Sequence, residues 1–167
     1  MTTGKLRGNM AKDKALTGAA GEYYVAFRLA AEGCAVGLTA HGTRAIDIVV
    51  ANPNTGSSIT IQSKTMRNAL GRSGTESWWK WRVGTSRRLS HENFFYAFVN
   101  LRDDPSETPD VFIVPSGQLE SLLEEYKDKE GRVIDTWCVI YEKDIEKYRN
   151  RWDVVKDALA STAAMPG

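Results

Sequence analysis

The sequence predicts an α/β fold in which a mixed β-sheet is flanked by α-helices. Three observations lead to this class: a helical spacing of apolar residues over 15–32, three short apolar runs directly after it, and further strand-like and helical segments in the second half. A chain of 167 residues with 42% hydrophobic composition can form one folded unit. We therefore expect a single domain over 1–167, with frayed or disordered ends at about 1–12 and 161–167.

The first helix is indicated by apolar residues that advance by four, three, four and three positions. These residues are Leu16, Ala20, Tyr23, Phe27 and Ala30, and Gly33 follows them as a helix stop. Three strands are then expected over 34–40, 45–51 and 58–64. The turn between the second and third contains Asn, Pro and Gly, a composition that favours a hairpin.

The rest of the chain is less regular in pattern. We expect 65–90 to be irregular or partly helical, because it combines three glycines with many basic residues. Aromatic and β-branched residues predict strands over 93–101 and 110–114. Ser116 can cap a helix that continues to Tyr126, and apolar residues at helical spacing from Ile145 to Leu159 predict a terminal helix.

Charge is unevenly distributed although the net charge is only +1. Residues 65–91 contain six Lys or Arg and one acidic residue, whereas 92–167 contain nine basic and sixteen acidic residues. The local excess suggests contact with a polyanion, and a solvated basic face is the alternative. Two widely spaced cysteines give no disulfide framework, and no apolar run reaches the roughly 18 residues of a membrane span. We expect a soluble, cytoplasmic protein.

Three polar residues interrupt the second and third predicted strands. Asp47 lies in one apolar run, and Gln62 and Lys64 lie in the next. Burying such groups without partners is costly, which suggests a functional site. If the two strands pair across a symmetric turn, residues whose numbers sum to 109 face each other, so Asp47 faces Gln62. Lys64 then lies on the same face, about 7 Å along the strand.

Glu22 is a fourth candidate. Its neighbours at three and four positions on the helix are small or apolar, so the side chain is expected to point inward rather than join a charged face. Glu22, Asp47 and Gln62 offer oxygen ligands for a hard cation such as Mg²⁺, and Lys64 adds a positive charge beside it. This set suits phosphodiester hydrolysis. A purely structural ion pair between Asp47 and Lys64, with Glu22 at the helix margin, is the alternative.

The pattern resembles the PD-(D/E)xK nuclease superfamily, whose fold is called restriction endonuclease-like. Glu22 matches the family's first-helix glutamate, Asp47 its motif aspartate, and Gln62-Ser63-Lys64 its (D/E)xK element in a Gln-x-Lys variant. The resemblance implies a Mg²⁺- or Mn²⁺-dependent endonuclease that hydrolyses DNA. It implies that Glu22, Asp47, Gln62 and the main-chain carbonyl of Ser63 bind the metal. Gln62 replaces an acidic ligand, so an inactive, nuclease-derived binding module is the alternative.

The basic segment after Lys64 is expected to contact phosphates. Sequence-independent contacts of this kind bind DNA, with RNA as a less favoured substrate. The tryptophans of this segment are expected mostly in the core, with base stacking as the alternative. Many enzymes that cut both strands are dimers, so a homodimer is possible. The expected nucleic-acid-binding residues are Arg44, Arg67, Arg72, Lys80, Arg82, Arg87 and Arg88.

Overall fold

The computed structural model describes residues 14–40, 45–85 and 88–161. These residues form three layers: helices, a five-stranded sheet and a four-stranded sheet. Two short 3₁₀ helices, Ser116–Leu122 and Glu142–Asp144, connect elements of the second half. The elements in chain order are α1 (Lys14–Ala31), β1 (Ala35–Leu38), β2 (Ile48–Ala51), β3 (Ser58–Arg67), β4 (Leu70–Ser73), β5 (Glu76–Arg82), β6 (Phe94–Leu101), β7 (Asp110–Pro115), β8 (Leu123–Lys127), β9 (Val133–Tyr141), α2 (Ile145–Tyr148) and α3 (Trp152–Ser161).

The first sheet has the strand order β1-β2-β3-β6-β7 and is mixed. Strands β3 and β6 are parallel, whereas the other neighbours are antiparallel. A parallel pair needs a long crossover, and here the crossover contains the β4–β5 hairpin of the second sheet. The second sheet is antiparallel in the order β4-β5-β9-β8. The expected mixed α/β architecture flanked by helices is confirmed.

Two apolar cores lie on the two faces of the first sheet. Helices α1 and α3 cover one face, where Val25, Leu29 and Val155 pack against Ile61 and Val99. The second sheet covers the other face. Strand β6 is buried along its whole length because both of its faces are covered. The first sheet therefore has a helical side and a sheet side, and each residue of β3 faces one of them.

Three expectations about local structure were wrong. Residues 65–90 contain the end of β3 and all of β4 and β5, rather than irregular or helical chain. The expected helix after Ser116 is a 3₁₀ helix followed by β8. The terminal helix is interrupted between α2 and α3, where Asn150 has φ +54°.

The first helix and the strands around 45–51, 58–64, 93–101 and 110–114 are confirmed. No described helix combines the length and apolarity that a membrane crossing requires. The expected frayed ends, apart from Ser161 at the end of α3, lie outside the described residues.

Candidate active site

The site lies where β2 separates from β3. The two strands pair in the register expected from the sequence, with Ala51 opposite Ser58 and Ile48 opposite Ile61. Strand pairing ends at Ile48, whereas β3 continues to Arg67 with β6 alone as its partner among the described strands. The edge of β3 beyond Ile61 is therefore open on the β2 side. The candidate residues lie along this open edge.

Asp47 occupies the point of separation. Its N–H donates to the carbonyl of Ile61 (3.0 Å), and its own carbonyl accepts from the N–H of Thr39 (2.9 Å). Its side chain takes the place that a neighbouring strand would occupy, because Oδ2 accepts a 2.7 Å hydrogen bond from the N–H of Ser63. The carboxylate is thus fixed against the open edge of β3.

The backbone just before Asp47 is in an unfavourable conformation. Ala45 has φ +65°, in the left-handed region that residues with a Cβ rarely adopt. Such a conformation costs roughly 1–2 kcal/mol. The Thr39 hydroxyl donates to the carbonyl of Ile46 (2.6 Å) and so fixes the backbone between Ala45 and Asp47. These contacts fix the direction from which Asp47 approaches β3.

Burial raises the pKa of Asp47 above its ordinary value. The hydrogen bond from the Ser63 N–H and the positive charge of Lys64 act in the opposite direction and only partly offset this effect. The half-buried carboxylate therefore carries a negative charge that its surroundings do not fully stabilise. A bound cation would supply the missing stabilisation.

Gln62 and Lys64 lie on the sheet side of β3. Ile61 packs on the helical side, and successive residues of a strand alternate, so these two side chains point toward the second sheet. Their parallel partners on β6 are Tyr96 and Phe98, which belong to the core between the sheets. Both polar side chains are half-buried. The structure thus brings Asp47, Gln62 and Lys64 to one segment of the sheet, as expected from the pairing register.

The carbonyl of Ser63 also points to the open edge. The N–H and C=O of one strand residue project toward the same neighbouring strand, and the Ser63 N–H donates to Asp47. Its carbonyl oxygen is therefore directed to the same side as the carboxylate. The Ser63 side chain is buried on the opposite, helical side, where its hydroxyl has no hydrogen-bond partner among the described residues.

Glu22 lies on the helix that packs on the helical side of the first sheet. It is half-buried on α1 and follows Gly21, which is fully buried. The Cα of Gly21 packs so closely on Thr65 that a Cβ there would lie 1.9 Å from the Thr65 Oγ1. The helix is therefore in direct contact with β3 two residues beyond Ser63. This contact places Glu22 on the helix that covers the candidate segment.

The donor set fits a hard divalent cation. It consists of carboxylate, amide and main-chain carbonyl oxygens, which Mg²⁺ and Mn²⁺ prefer over sulfur or imidazole. Within 14–40, 45–85 and 88–161, no three His, Cys, Asp or Glu side chains gather as a metal site. A metal bound here would thus depend on the neutral oxygens of Gln62 and Ser63 in addition to carboxylates. The incompletely stabilised charge of Asp47 is the observation that favours a cation.

A basic cleft opens beside Lys64. Its volume is about 460 Å³, and it lies between the start of α1, the end of β3 and the second sheet. Its charged lining is positive throughout. The lining residues are Lys14, Thr17, Lys64, Thr65, Met66, Arg67, Trp81, Arg82 and Trp137.

Two of the expected phosphate-binding residues line this basic cleft. Arg67 donates through Nη1 to the carbonyl of Arg102 (3.0 Å), while its buried Nε has no hydrogen-bond partner. Arg82 pairs with Asp135 (2.8 Å) and remains exposed. Lys80 is not part of the cleft lining, but its Nζ lies 5.3 Å from the ring centre of Trp137, which is.

The other expected phosphate-binding residues are not in the cleft lining. Arg72 is exposed on β4, and Arg88 contacts the carbonyl of Gly84 and the carboxylate of Glu120. Arg44 and Arg87 lie outside the described residues.

The tryptophans of β5 alternate between two environments. Trp79 and Trp81 are buried between the sheets, in agreement with the expected core role, whereas Trp78 is half-buried on the opposite face. Trp137 was not expected near the site, since β9 was not predicted. The concentration of β-branched and aromatic residues from Val133 to Tyr141 is the sequence signal that would have indicated this strand.

Asp110 has a structural role. Its buried carboxylate pairs with Arg102 and Arg149, each at 2.5 Å, and accepts a hydrogen bond from Asn100. This arrangement joins the end of β6, the start of β7 and the chain after α2. The carboxylate is therefore already satisfied by cations of the protein.

Comparison with known proteins finds a similar solved structure. No protein-family description matches the chain, and no curated protein is similar enough to match. Among solved structures, the chain is similar to one titled as a bacterial homing endonuclease, I-Ssp6803I, with a TM-score of 0.54 and 13% identity. The match covers 92% of this chain and 99% of the other. At this identity, the likeness shows that the two proteins share a fold.

Proposed function

We propose that the protein is a divalent-metal-dependent endonuclease that hydrolyses phosphodiester bonds in DNA, with its site at the open edge of β3. The observation that carries the proposal is Asp47, whose half-buried carboxylate is fixed against Ser63 beside Lys64 and a basic cleft. The fold shared with a homing endonuclease supports the same class of function. Membership of the PD-(D/E)xK superfamily is part of this proposal.

The proposed metal ligands are Asp47, Glu22, Gln62 and the carbonyl of Ser63. Mg²⁺ or Mn²⁺ bound there would neutralise charge on the scissile phosphate and lower the pKa of a coordinated water. The hydrogen bond from the Ser63 N–H keeps one oxygen of Asp47 in a fixed position and leaves the other oxygen for the metal. Gln62 contributes an oxygen without charge, so it supports weaker metal binding than an acidic residue would.

Lys64 is proposed to act on the phosphate rather than on the metal. Its ammonium group can donate to a non-bridging phosphate oxygen and stabilise the additional negative charge of the transition state. The same group can orient the attacking water. Since Lys64 lines the basic cleft, the reacting phosphate would lie at the mouth of this cleft.

The basic cleft is proposed to hold the DNA backbone next to the scissile bond. Lys14, Arg67 and Arg82 line it together with Lys64, and phosphate contacts from such residues give affinity that does not depend on base sequence. Among the residues that the structure describes, the buried Nε of Arg67 has no hydrogen-bond partner. Arg72, Lys80 and Arg88, and the undescribed Arg44 and Arg87, are proposed as more distant phosphate contacts.

The proposal is tested by cleavage of supercoiled plasmid DNA. Wild-type protein with Mg²⁺ or Mn²⁺ should produce nicked or linear DNA, and a chelator should stop the reaction. Lys64→Ala should reduce the rate of cleavage at least about a hundredfold, because it removes a contact to the transition state. DNA binding should change little. Lys127→Ala provides a matched control, since it removes an exposed lysine on β8 that is not part of the cleft lining. Cleavage that continues in excess chelator would contradict the proposal.

A binding module that no longer cuts is the second candidate, because Gln62 stands in place of an acidic ligand. Calorimetric titration with Mn²⁺ separates the two candidates. Metal binding that is lost in Asp47→Asn supports the nuclease. Absence of metal binding, together with DNA binding unaffected by Asp47→Asn, would instead support the module.

A further inference from the structure

The basic cleft has an apolar wall in addition to its positive charges. Met66 and Trp137 line it together with the cationic residues, and both are half-buried. Trp81 also belongs to the lining, but it is fully buried in the core between the sheets. Met66 and Trp137 therefore provide the apolar surface that a ligand in the cleft can reach.

The ring of Trp137 is held in place by three neighbours. Its Nε1 donates to Oδ2 of Asp135 (3.1 Å), the Nζ of Lys80 lies 5.3 Å from the ring centre, and Tyr126 packs edge-on at 6.3 Å between ring centres. A side chain fixed in this way loses little conformational freedom when a ligand packs against it. Trp137 is thus a preorganised aromatic surface at the cleft.

Contact with the backbone of a DNA duplex does not explain this aromatic wall. In a duplex the bases are paired and stacked inside, so the backbone offers phosphates and sugars, for which cations and polar groups suffice. A base that leaves the stack exposes its flat faces, and these pack favourably on an aromatic ring whatever the base. Cations beside an aromatic wall therefore match a nucleotide whose base is unpaired.

The charge and the volume of the cleft agree with such a ligand. Asp135, which adjoins Trp137, is not part of the lining and is paired with Arg82 (2.8 Å). The volume of about 460 Å³ lies within the roughly 300–1,000 Å³ of pockets that enclose a small ligand, and a single nucleotide is a ligand of this class. Among the described residues, the charged side chains of the lining are all positive, namely Lys14, Lys64, Arg67 and Arg82.

We propose that the basic cleft receives one unpaired nucleotide of a DNA strand, with its base against Trp137 and Met66 and its phosphates among the cations. If the proposed function holds, on which this inference rests, the substrate is DNA that carries an unpaired nucleotide beside the scissile bond. Lys64 lines the cleft, so a phosphate next to this nucleotide is the one placed for hydrolysis. Extruding a base costs pairing and stacking energy, and this cost is least at a mismatch, a bulge or a single-stranded segment.

Fluorescence anisotropy of labelled DNA in excess chelator tests this preference without cleavage. Two duplexes of one sequence are compared, one fully paired and one with a single unpaired adenine as a bulge. The bulged duplex should bind at least about fivefold more tightly. When 2-aminopurine replaces the unpaired adenine, its fluorescence should fall on binding, because the base stacks on Trp137. Equal affinity for the two duplexes would overturn the inference.

Replacement of Trp137 separates stacking from a structural role. Trp137→Leu keeps an apolar side chain and should reduce the affinity for the bulged duplex to that for the paired one. Trp137→Phe keeps an aromatic ring without the bond to Asp135 and should retain most of the preference, which a folding defect would not allow. Trp78→Leu is the matched control, since Trp78 is also half-buried on the second sheet but packs on Gly71, outside the cleft lining. A preference that survives Trp137→Leu would overturn the assignment of the base to Trp137.

Competition in the same assay distinguishes the sources of the nucleotide. Free dAMP should compete much more weakly than the bulged duplex, because it lacks the neighbouring phosphates of a strand. Equal competition by free dAMP, or tighter binding of the same bulge in RNA, would overturn the assignment to DNA. Every binding measurement is made without metal, so a failure here leaves the cleavage tests of the proposed function unaffected. Loss of cleavage in Asp47→Asn likewise leaves the binding preference unaffected.

Discussion

At the scale of single residues, the surroundings of Asp47 disfavour the negative charge of its carboxylate. Its carboxylate accepts a hydrogen bond from Ser63 and lies near Lys64, yet burial still raises its pKa. A structural carboxylate such as Asp110 is instead paired with two arginines. The contrast supports the proposal that Asp47 binds a ligand rather than stabilising the fold.

Replacing Asp47 by Asn should stabilise the metal-free protein at neutral pH. Because the pKa of the folded carboxyl is raised above its ordinary 3.8, the folded state holds its proton longer than the unfolded state does. Stability therefore falls as pH rises through this window, and the variant avoids that loss. The carboxyl is only half-buried, so water screens the effect and we expect a gain below about 1 kcal/mol.

Thermal unfolding in chelator measures this difference. The melting temperature of Asp47→Asn should exceed that of the wild type by up to about 2–4 °C at pH 7, and the two proteins should converge near pH 3. Added Mn²⁺ should stabilise the wild type and leave the variant unchanged. A lower melting temperature for the variant at pH 7 would show that the charge of Asp47 stabilises the fold.

Gln62→Glu tests whether the uncharged amide of Gln62 weakens metal binding. An additional carboxylate at the open edge of β3 should strengthen metal binding through its charge, and we expect about a tenfold lower dissociation constant for Mn²⁺. Calorimetric titration measures it. Thr60→Glu is the control, since Thr60 lies on the same face of β3 but in the part that is paired with β2, opposite Val49. Equal strengthening by both substitutions would mean that Gln62 is not a ligand.

At the scale of elements, the contact of α1 with β3 determines where Glu22 lies. Gly21 allows the helix backbone to approach Thr65 so closely that no Cβ fits between them. A side chain there would push α1 outward, away from the open edge of β3. Gly21 therefore sets how close the helix lies to β3, and with it the position of the backbone at Glu22.

Gly21→Ala should therefore destabilise the protein, by about 1–3 kcal/mol, because the new methyl group collides with Thr65. Gly18→Ala is a matched control on the same helix, since no atom lies within 4 Å of its added Cβ. That variant should gain about 0.5–1 kcal/mol from higher helix propensity. Urea unfolding compares the two, and similar effects from both substitutions would contradict the close approach seen at Gly21.

The sequence was sufficient to predict α1, β2, β3 and their register, because these elements have clear apolar periods and a turn of defined composition. The strand expected over 45–51 begins only at Ile48, so Asp47 lies just before it and contacts β3 through its side chain, at the N–H of Ser63. The strands β4 and β5 were missed because their basic and glycine residues resemble a loop, and tertiary contacts between the two sheets decide their structure. Likewise, the leucines after Ser116 fit a helical spacing, yet β8 pairs with β9 from Leu123 onward.

At the scale of the whole molecule, the two sheets together create the surroundings of the site. The first sheet provides the open edge of β3, and the second provides Arg82 and Trp137 on the far wall of the basic cleft. Two of the six basic residues in 65–91, Arg67 and Arg82, therefore lie in the same cleft as Lys64. The sequence could not predict this cleft, because Lys14, Lys64 and Trp137 are distant along the chain and meet only in the folded structure.

The central claim is that Asp47 holds a catalytic metal, and its most direct test is plasmid cleavage by Asp47→Asn with Mn²⁺. The variant preserves the size of the side chain and the acceptor for the Ser63 N–H, so its fold should remain intact in the thermal unfolding measurement. We expect a folded protein that still binds DNA but cleaves at least about a hundredfold more slowly than the wild type. Undiminished cleavage by this variant would contradict the account.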